Sequence, residues 1–292
     1  MTNVTSNQTL NELEEWVNKE AHSSRFLDFY KGLLRIQAEV EECITIPKPE
    51  LSEKAVNSRI SGGKPLLSFE TLAINWPMIV DTFNRVAAAF SEYPDLFGSI
   101  PEVLLKEKRR YKLTKKMAKS WFEGKSLPST IAGEDINPYL LDSLIHQSLR
   151  PFLIRHSQAL NNLVKQEKWQ RGYCPVCGGK PDISYLEKEI GARWLVCSRC
   201  DARWHFRRLI CPNCGNQNPN SMTYFINDDE IYRLYVCDKC HTYLKTVDLR
   251  KAKAQVFLPL ERLLTLDIDR QGQEMGYQPG YVQISDIDTT QP

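Results

Sequence analysis

The chain has 292 residues, of which 42% are hydrophobic and 25% charged, enough for about two domains and for a core that needs no staples. Lys plus Arg total 38 against 36 Asp plus Glu, so a net charge of +2 singles out no polyanionic partner; with 10% aromatic residues it also excludes a wholly disordered chain. No apolar run reaches the ~18 residues of a membrane helix, and the start lacks the basic and apolar segments of a signal peptide, so a cytoplasmic protein with no membrane partner is expected.

From residue 8 to about 170 the apolar period is helical. Leu10, Leu13 and Val17, then Phe26, Phe29, Tyr30, Leu33 and Leu34, recur at three- and four-residue spacing. Cys43 follows in an apolar helical context and reads as a small buried hydrophobe. Thr45 to Ser68, with three prolines and Gly62-Gly63, reads as a long connection. Ile79, Phe83, Val86 and Phe90 form the next stripe, opened by Pro77. Leu113, Met117 and Trp121 mark one face of a basic helix, since Lys106 to Lys119 holds eight cations against Glu107. The last stripe, Leu141 to Val164, contains Pro151, which should kink or split it. His146 and His156 lie on it and are read as surface or cap residues.

After Tyr173 short alternating segments appear. Ile183 to Leu186, Trp194 to Val196 and Trp204 to Phe206 read as strands; Thr223 to Ile226 and Ile231 to Val236 read as a hairpin around the polar turn Asn227 to Glu230. Beyond Cys240 no further strand pairs are expected. One closing helix is, over Leu260 to Leu266 with Pro259 in its first turn, and then a polar tail.

Eight of the nine cysteines form four Cys-x-x-Cys pairs: Cys174/Cys177, Cys197/Cys200, Cys211/Cys214 and Cys237/Cys240. Spacers of 19 and 22 residues lie within the two halves and 10 between them. Cys174-Pro175-Val176-Cys177-Gly178 matches Cys211-Pro212-Asn213-Cys214-Gly215, and Arg193-Trp194-Leu195-Val196-Cys197 matches Arg233-Leu234-Tyr235-Val236-Cys237, so the region is an internal duplication. In a reducing compartment such pairs are metal ligands or redox thiols. Two knuckles joined by a hairpin supply four tetrahedral sulfurs, and each duplicated unit should carry its own site. Gly178 and Gly215 suit the left-handed backbone that closes a knuckle, and Asp201 and His241 hold that place in the other two. Zinc and a single iron fit four thiolates equally. The expected fold class is therefore α+β: a helical domain over 1–170, rubredoxin-like or zinc-ribbon modules over 171–208 and 209–250, and a closing helix and tail over 251–292.

Tyr173-Cys174-Pro175-Val176-Cys177-Gly178, Arg193 to Cys200, Trp204-His205, Cys211 to Cys214, Cys237 to Lys245 and Gly276-Tyr277 resemble the family of the formate dehydrogenase accessory protein FdhE. The likeness runs from about 171 to 277; earlier it is limited to Gly63-Lys64-Pro65-Leu66-Leu67. The last knuckle departs from the family's Cys-Gly-x-Cys-Gly, reading Cys237-Asp238-Lys239-Cys240-His241. The resemblance implies a cytoplasmic maturation protein that binds the catalytic subunit of formate dehydrogenase, and it favours iron in two rubredoxin-like sites over zinc.

The competing reading is a zinc-ribbon protein that binds nucleic acid or the transcription machinery. Residues 171–250 hold 12 Lys/Arg and 9 Asp/Glu, and two divalent ions with four thiolates each bring that net of +3 to −1, so nucleic acid is not expected. No phosphate loop, nucleophile elbow or His-Glu-x-x-His is present, and a metal closed by four sulfurs offers no open position; an enzyme is not expected. Trp204, His205, Tyr243 and Lys245, close behind the knuckles, are candidates for a working surface, and the two aromatics equally for core.

Overall fold

The computed structural model describes residues 4–21, 24–46, 51–72, 75–105 and 113–281. In chain order its helices are α1 (Ser6–Glu20), α2 (Arg25–Cys43), α3 (Glu53–Ser61), α4 (Trp76–Ser91), α5 (Pro94–Phe97), α6 (Glu102–Leu105), α7 (Lys115–Phe122), α8 (Pro138–Leu160), α9 (Leu258–Leu264) and α10 (Leu266–Glu274). Its strands are β1 (Thr130–Ile131), β2 (Glu134–Asp135), β3 (Pro181–Leu186), β4 (Arg193–Cys197), β5 (Arg203–His205), β6 (Met222–Ile226), β7 (Tyr232–Cys237), β8 (Thr242–Asp248) and β9 (Gln278–Pro279). By contacts the described residues fall into two compact units, one taking in 4–46 and 69–155 and the other 51–68 and 156–281.

The first unit is helical. Side-chain caps start its helices: Thr5 and Gln8 form a capping box on α1, and Ser24, Asn75 and Thr114 accept from the first turns of α2, α4 and α7. The apolar stripes meet at Leu13, Leu33, Ile79, Phe83, Val86 and Leu144, all buried, with Phe29 packed edge-on against Phe90 at 4.8 Å. Cys43 is exposed, contrary to the sequence expectation: Val40, Glu41 and Ile44 take the inward face at the end of α2 and turn position 43 outward. Nor does Pro151 split α8, which runs through it. Proline removes the N–H owed to the carbonyl of residue 147, and the Gln37 amide, from α2, donates to the Gln147 carbonyl at 3.0 Å instead. His146 stacks on Trp121, and His156 is buried rather than on the surface. The first half of the basic run, 106–112, lies outside the described residues; on α7, Lys119 pairs with Glu70.

In the second unit one sheet runs β5-β4-β3-β8-β7-β6, with β9 added beside β8. The expected hairpin is β6–β7, with Tyr224 opposite Tyr235. A strand does follow the last knuckle, however: β8 starts two residues after Cys240, pairs antiparallel with β7 and parallel with β3, and so merges the two ribbons into one sheet. The order is a translation of one motif, third-second-first strand of ribbon one followed by third-second-first strand of ribbon two, every equivalent strand pointing the same way. Gly172 comes so close to the second ribbon that a Cβ there would lie 1.7 Å from the Pro212 carbonyl oxygen.

The closing segment is two helices, not one. Thr265 breaks it, and Lys245 fills the break, donating to the Arg262 and Thr265 carbonyls at 3.3 Å and to Asp269 Oδ2 at 2.6 Å. Leu258 of α9 joins Ile183, Tyr185, Val196 and Val247, while Ile268 of α10 packs on Leu234, Val236 and Tyr243. The segment read as a connection carries α3, capped by Ser52, and groups with the ribbons rather than with the other helices.

Candidate metal centres

Each ribbon places one knuckle before its first strand and the other at the tip between its second and third. In the first ribbon, Cys174 N–H donates to the Gly179 carbonyl at 2.8 Å and Gly178 N–H to the Cys174 carbonyl at 3.0 Å. In the second, Cys211 donates to Asn216 and Gly215 to Cys211, both at 2.9 Å. Gly178, Asp201, Gly215 and His241 all have positive φ, at 79°, 57°, 71° and 49°. The repeated turns are thus alike in backbone as well as in sequence.

The eight cysteines stand in two groups, Cys174, Cys177, Cys197 and Cys200, and Cys211, Cys214, Cys237 and Cys240, with the sulfurs of each within 4.8 Å of one another. Cys174 and Cys200 sulfurs are 3.6 Å apart and Cys177 and Cys197 3.5 Å; in the second group Cys211–Cys240 is 3.7 Å and Cys214–Cys237 3.8 Å. A tetrahedral ion with metal–sulfur bonds of about 2.3 Å has edges of about 3.8 Å, so both groups fit a zinc- or iron-sized ion.

The two groups differ in their surroundings. All four sulfurs of the first belong to buried residues, and its backbone donates from Val176 N–H to Cys174 Sγ at 3.3 Å, from Gly179 to Cys177 and from Arg199 to Cys197 at 3.4 Å. In the second, Cys214 is exposed and Cys240 half-buried, and side chains approach the sulfurs: Thr242 Oγ1 lies 3.1 Å from Cys240 Sγ and Asn216 Nδ2 3.7 Å from Cys237 Sγ. Burial pushes the Cys174 and Cys200 thiols up, while hydrogen bonding from the other three sulfurs holds Cys177 down. Burial opposes ionisation of Cys240, but Thr242 and the neighbouring sulfurs bring its thiol to about 7. Lys180, lent by the first ribbon, carries its charge beside the second group: burial pushes its ammonium down, and Cys211, Cys240 and Cys214 push it up.

Several positioning residues were not legible as such. Arg262 of α9 spans Asp182 (Nε to Oδ2, 2.7 Å; Nη2 to Oδ1, 3.0 Å), Asp201 (Nη1 to Oδ1, 2.6 Å) and the Cys197 carbonyl (2.9 Å), gripping the knuckle of the first group. The family-like segment at Gly63 lies on the other knuckle: Leu66 and Leu67 N–H donate to the Pro175 and Val176 carbonyls at 2.8 and 2.9 Å, and Tyr173 Oη donates to the Gly63 carbonyl. Buried Arg193 donates through Nη2 to the Arg207 and Ile210 carbonyls, tying down the link between ribbons. Trp204 is core, its indole donating to the Arg171 carbonyl, and Tyr243 and Lys245 are buried under α10, so none of these three lines a surface; His205 is half-buried against Trp194.

Such a protein is a translated pair of ribbons in one sheet, joined in sequence to a helical unit and able to hold two four-sulfur metal ions. Residues 173–208 match the family model described as "FdhE, central domain". Over 272 residues, 92% of this chain and 90% of the relative, it is 28% identical to the protein FdhE homolog of Aquifex aeolicus. It is 35% identical over 112 residues to protein FdhE of Escherichia coli and 30% over 110 residues to the FdhE homolog of Shewanella oneidensis, stretches spanning about a third of each (35% and 36%). The crystal structure of the FdhE protein from Pseudomonas aeruginosa shares the fold, with a TM-score of 0.57 at 21% identity over 96% of this chain and 93% of that one. The chain is thus similar to FdhE proteins, most specifically over residues 173–208 and more loosely over nearly its whole length.

Proposed function

We propose that the chain is a cytoplasmic accessory protein for formate dehydrogenase, that it binds the catalytic subunit of that enzyme, and that its eight cysteines hold two ions, iron in preference to zinc. The observation that carries the reading is the pair of closed four-sulfur groups at tetrahedral spacing, built on one repeated sheet. A single iron on four thiolates supplies one-electron chemistry when bound; zinc there is structural. The chain's own part is to hold the sulfurs in place: Arg262 and Asp201 fix one knuckle of the first group, and Leu66 and Leu67 fix the other. Four protein sulfurs per ion leave no position for substrate, which supports a binding role over catalysis. No described helix is long and apolar enough to cross a membrane.

The test is a pull-down of the catalytic subunit of a formate dehydrogenase by the full chain, paired with metal analysis and visible absorption of protein prepared anaerobically. Capture by the native chain with about two irons bound supports the proposal, as does loss of capture in Cys174→Ser/Cys177→Ser. Capture retained by that variant in a folded state removes the first metal site from recognition; zinc without colour removes iron.

A further inference from the structure

The two ribbons repeat by translation, and the repeat ends differently at its two edges. In ribbon one, the outer edge of the first strand is covered: Ile183, Ser184, Tyr185 and Leu186 of β3 pair with Lys245 to Asp248 of β8, running parallel, and all four are buried. Matching Arg193 to Arg233 across the two hairpins makes Thr223, Tyr224, Phe225 and Ile226 of β6 their equivalents. No described strand pairs with the outer edge of β6, and all four residues are exposed, Tyr224 by 48%, Phe225 by 44% and Ile226 by 54%. At the opposite end of the sheet, β5 is closed by the turn at Gln166–Lys168, where Gln166 Oε1 accepts from His205 N–H at 3.1 Å. Sheet edges left open, apolar and uncharged invite another strand, and proteins ordinarily blunt them. Here one edge is blunted and the other presents three consecutive large apolar side chains.

The covered edge also indicates what fits. Past β8 the backbone continues along β3, Leu249 N–H donating to the Leu186 carbonyl at 3.0 Å, and Arg250 then lies over the turn that follows β3, its guanidinium 2.9 Å from where a Cβ on Gly191 would stand. The equivalent turn after β6 holds Asp228, Asp229 and Glu230, all exposed, with Glu230 engaged by Lys251. A strand laid parallel on β6 therefore ends at two exposed carboxylates with no cation of this chain bonded to them in the described residues. A second copy placed by the same translation would have to offer its β5 edge, which Gln166 already occupies.

We propose that β6 is a docking strand for a protein partner: it takes an extended segment, parallel to Thr223–Ile226, with apolar or β-branched residues and an arginine or lysine at its C-terminal end set against Asp228 and Asp229. Main-chain bonds provide the attachment and the carboxylates set direction and register.

A fluorescent peptide with the sequence of residues 242–250, the segment that covers the equivalent edge, serves as probe and is titrated into the full-length, metal-loaded chain by anisotropy. The expected result is saturable binding weakened about tenfold or more by Ile226→Lys, and by a similar factor when the peptide's terminal arginine is replaced by glutamate. The Asp228→Asn/Asp229→Asn chain should lose most of that arginine preference and most of the salt dependence. Both substitutions are at exposed positions, so circular dichroism and metal content should stay as in the native chain. No binding up to about 1 mM, corresponding to roughly −4 kcal/mol, overturns the proposal, as does binding indifferent to Ile226→Lys. A native dimer abolished by Ile226→Lys in the absence of peptide binding assigns the edge to a second copy and overturns it too.

Discussion

Replacing Arg262 with methionine should destabilise the ribbon unit by about 3 kcal/mol, the lower end of the ~3–5 kcal/mol cost of removing one partner from a buried ion pair. The side chain is 11% exposed and those of Asp182 and Asp201 16% and 14%, so water reaches the cluster only at its margin. Burial alone would push the guanidinium pKa down, and the two carboxylates overcome it and hold the group charged. Methionine keeps the aliphatic stem but takes the guanidinium away from both carboxylates, and reduces the Cys197 carbonyl to the donor it has in the Asp201 N–H. In urea, with a slope of about 1–3 kcal/mol per molar, the midpoint should drop by at least about 1 M. The informative comparison is the triple variant Arg262→Met/Asp182→Asn/Asp201→Asn, in which no buried charge remains; it should recover most of the loss, since replacing a whole buried cluster is close to neutral. A single-variant loss below about 1 kcal/mol would show the cluster to be solvated, and a triple variant weaker than the single one would show the carboxylates to be held by something other than Arg262.

Two further outcomes follow from the same unit. Burial alone would push Asp248 up, but hydrogen bonds from Arg250 and Arg233 hold it at about 2, below the ordinary carboxylate value near ~3.9. Its folded pKa being depressed, the contribution is full above ~3.9, amounts to at most about 2.5 kcal/mol, and vanishes as pH falls through about 2; the urea midpoints of the native chain and Asp248→Asn should converge over that window, acid release of metal affecting both alike. A chromogenic chelator added to the loaded chain should take one ion from the group containing exposed Cys214 and half-buried Cys240 at least about tenfold faster than the other, a barrier difference near 1.4 kcal/mol. Cys214→Ser should remove the fast phase; two equal phases would refute the contrast.

What was legible in the sequence was what is local. The Cys-x-x-Cys spacing, the positive-φ residues after each knuckle and the hairpin around Asn227 to Glu230 depend on residues a few positions apart. β8 escaped notice because Tyr243 to Asp248 are all buried, on both faces of a central strand, which erases the alternation that marks a half-buried one; Lys245 in its middle finds its partners 17 to 24 residues on, in α9 and α10. The merger of the two ribbons was hidden for the same reason, since a parallel pairing leaves no turn signal between its strands. That α8 is not split at Pro151 could not be read locally, because the compensating donor is Gln37, 110 residues from the carbonyl it serves. Cys43 misled because position 43 is one step off the stripe that Val40 and Ile44 define.

The parallel contact between β3 and β8 also sets an order of events during synthesis. The partner of Ile183 is Lys245, 62 residues later, so the first ribbon emerges from the ribosome with its β3 edge uncovered and keeps it so until the entire second ribbon has been made. Contacts of that separation are slow to close, and an uncovered edge is where nascent chains associate wrongly. Early capture of an ion by Cys174, Cys177, Cys197 and Cys200, whose last member precedes Lys245 by 45 residues, would hold the nascent hairpin in register while the covering strand is still to come. An ion held there would then steady the nascent chain before it steadies the finished fold.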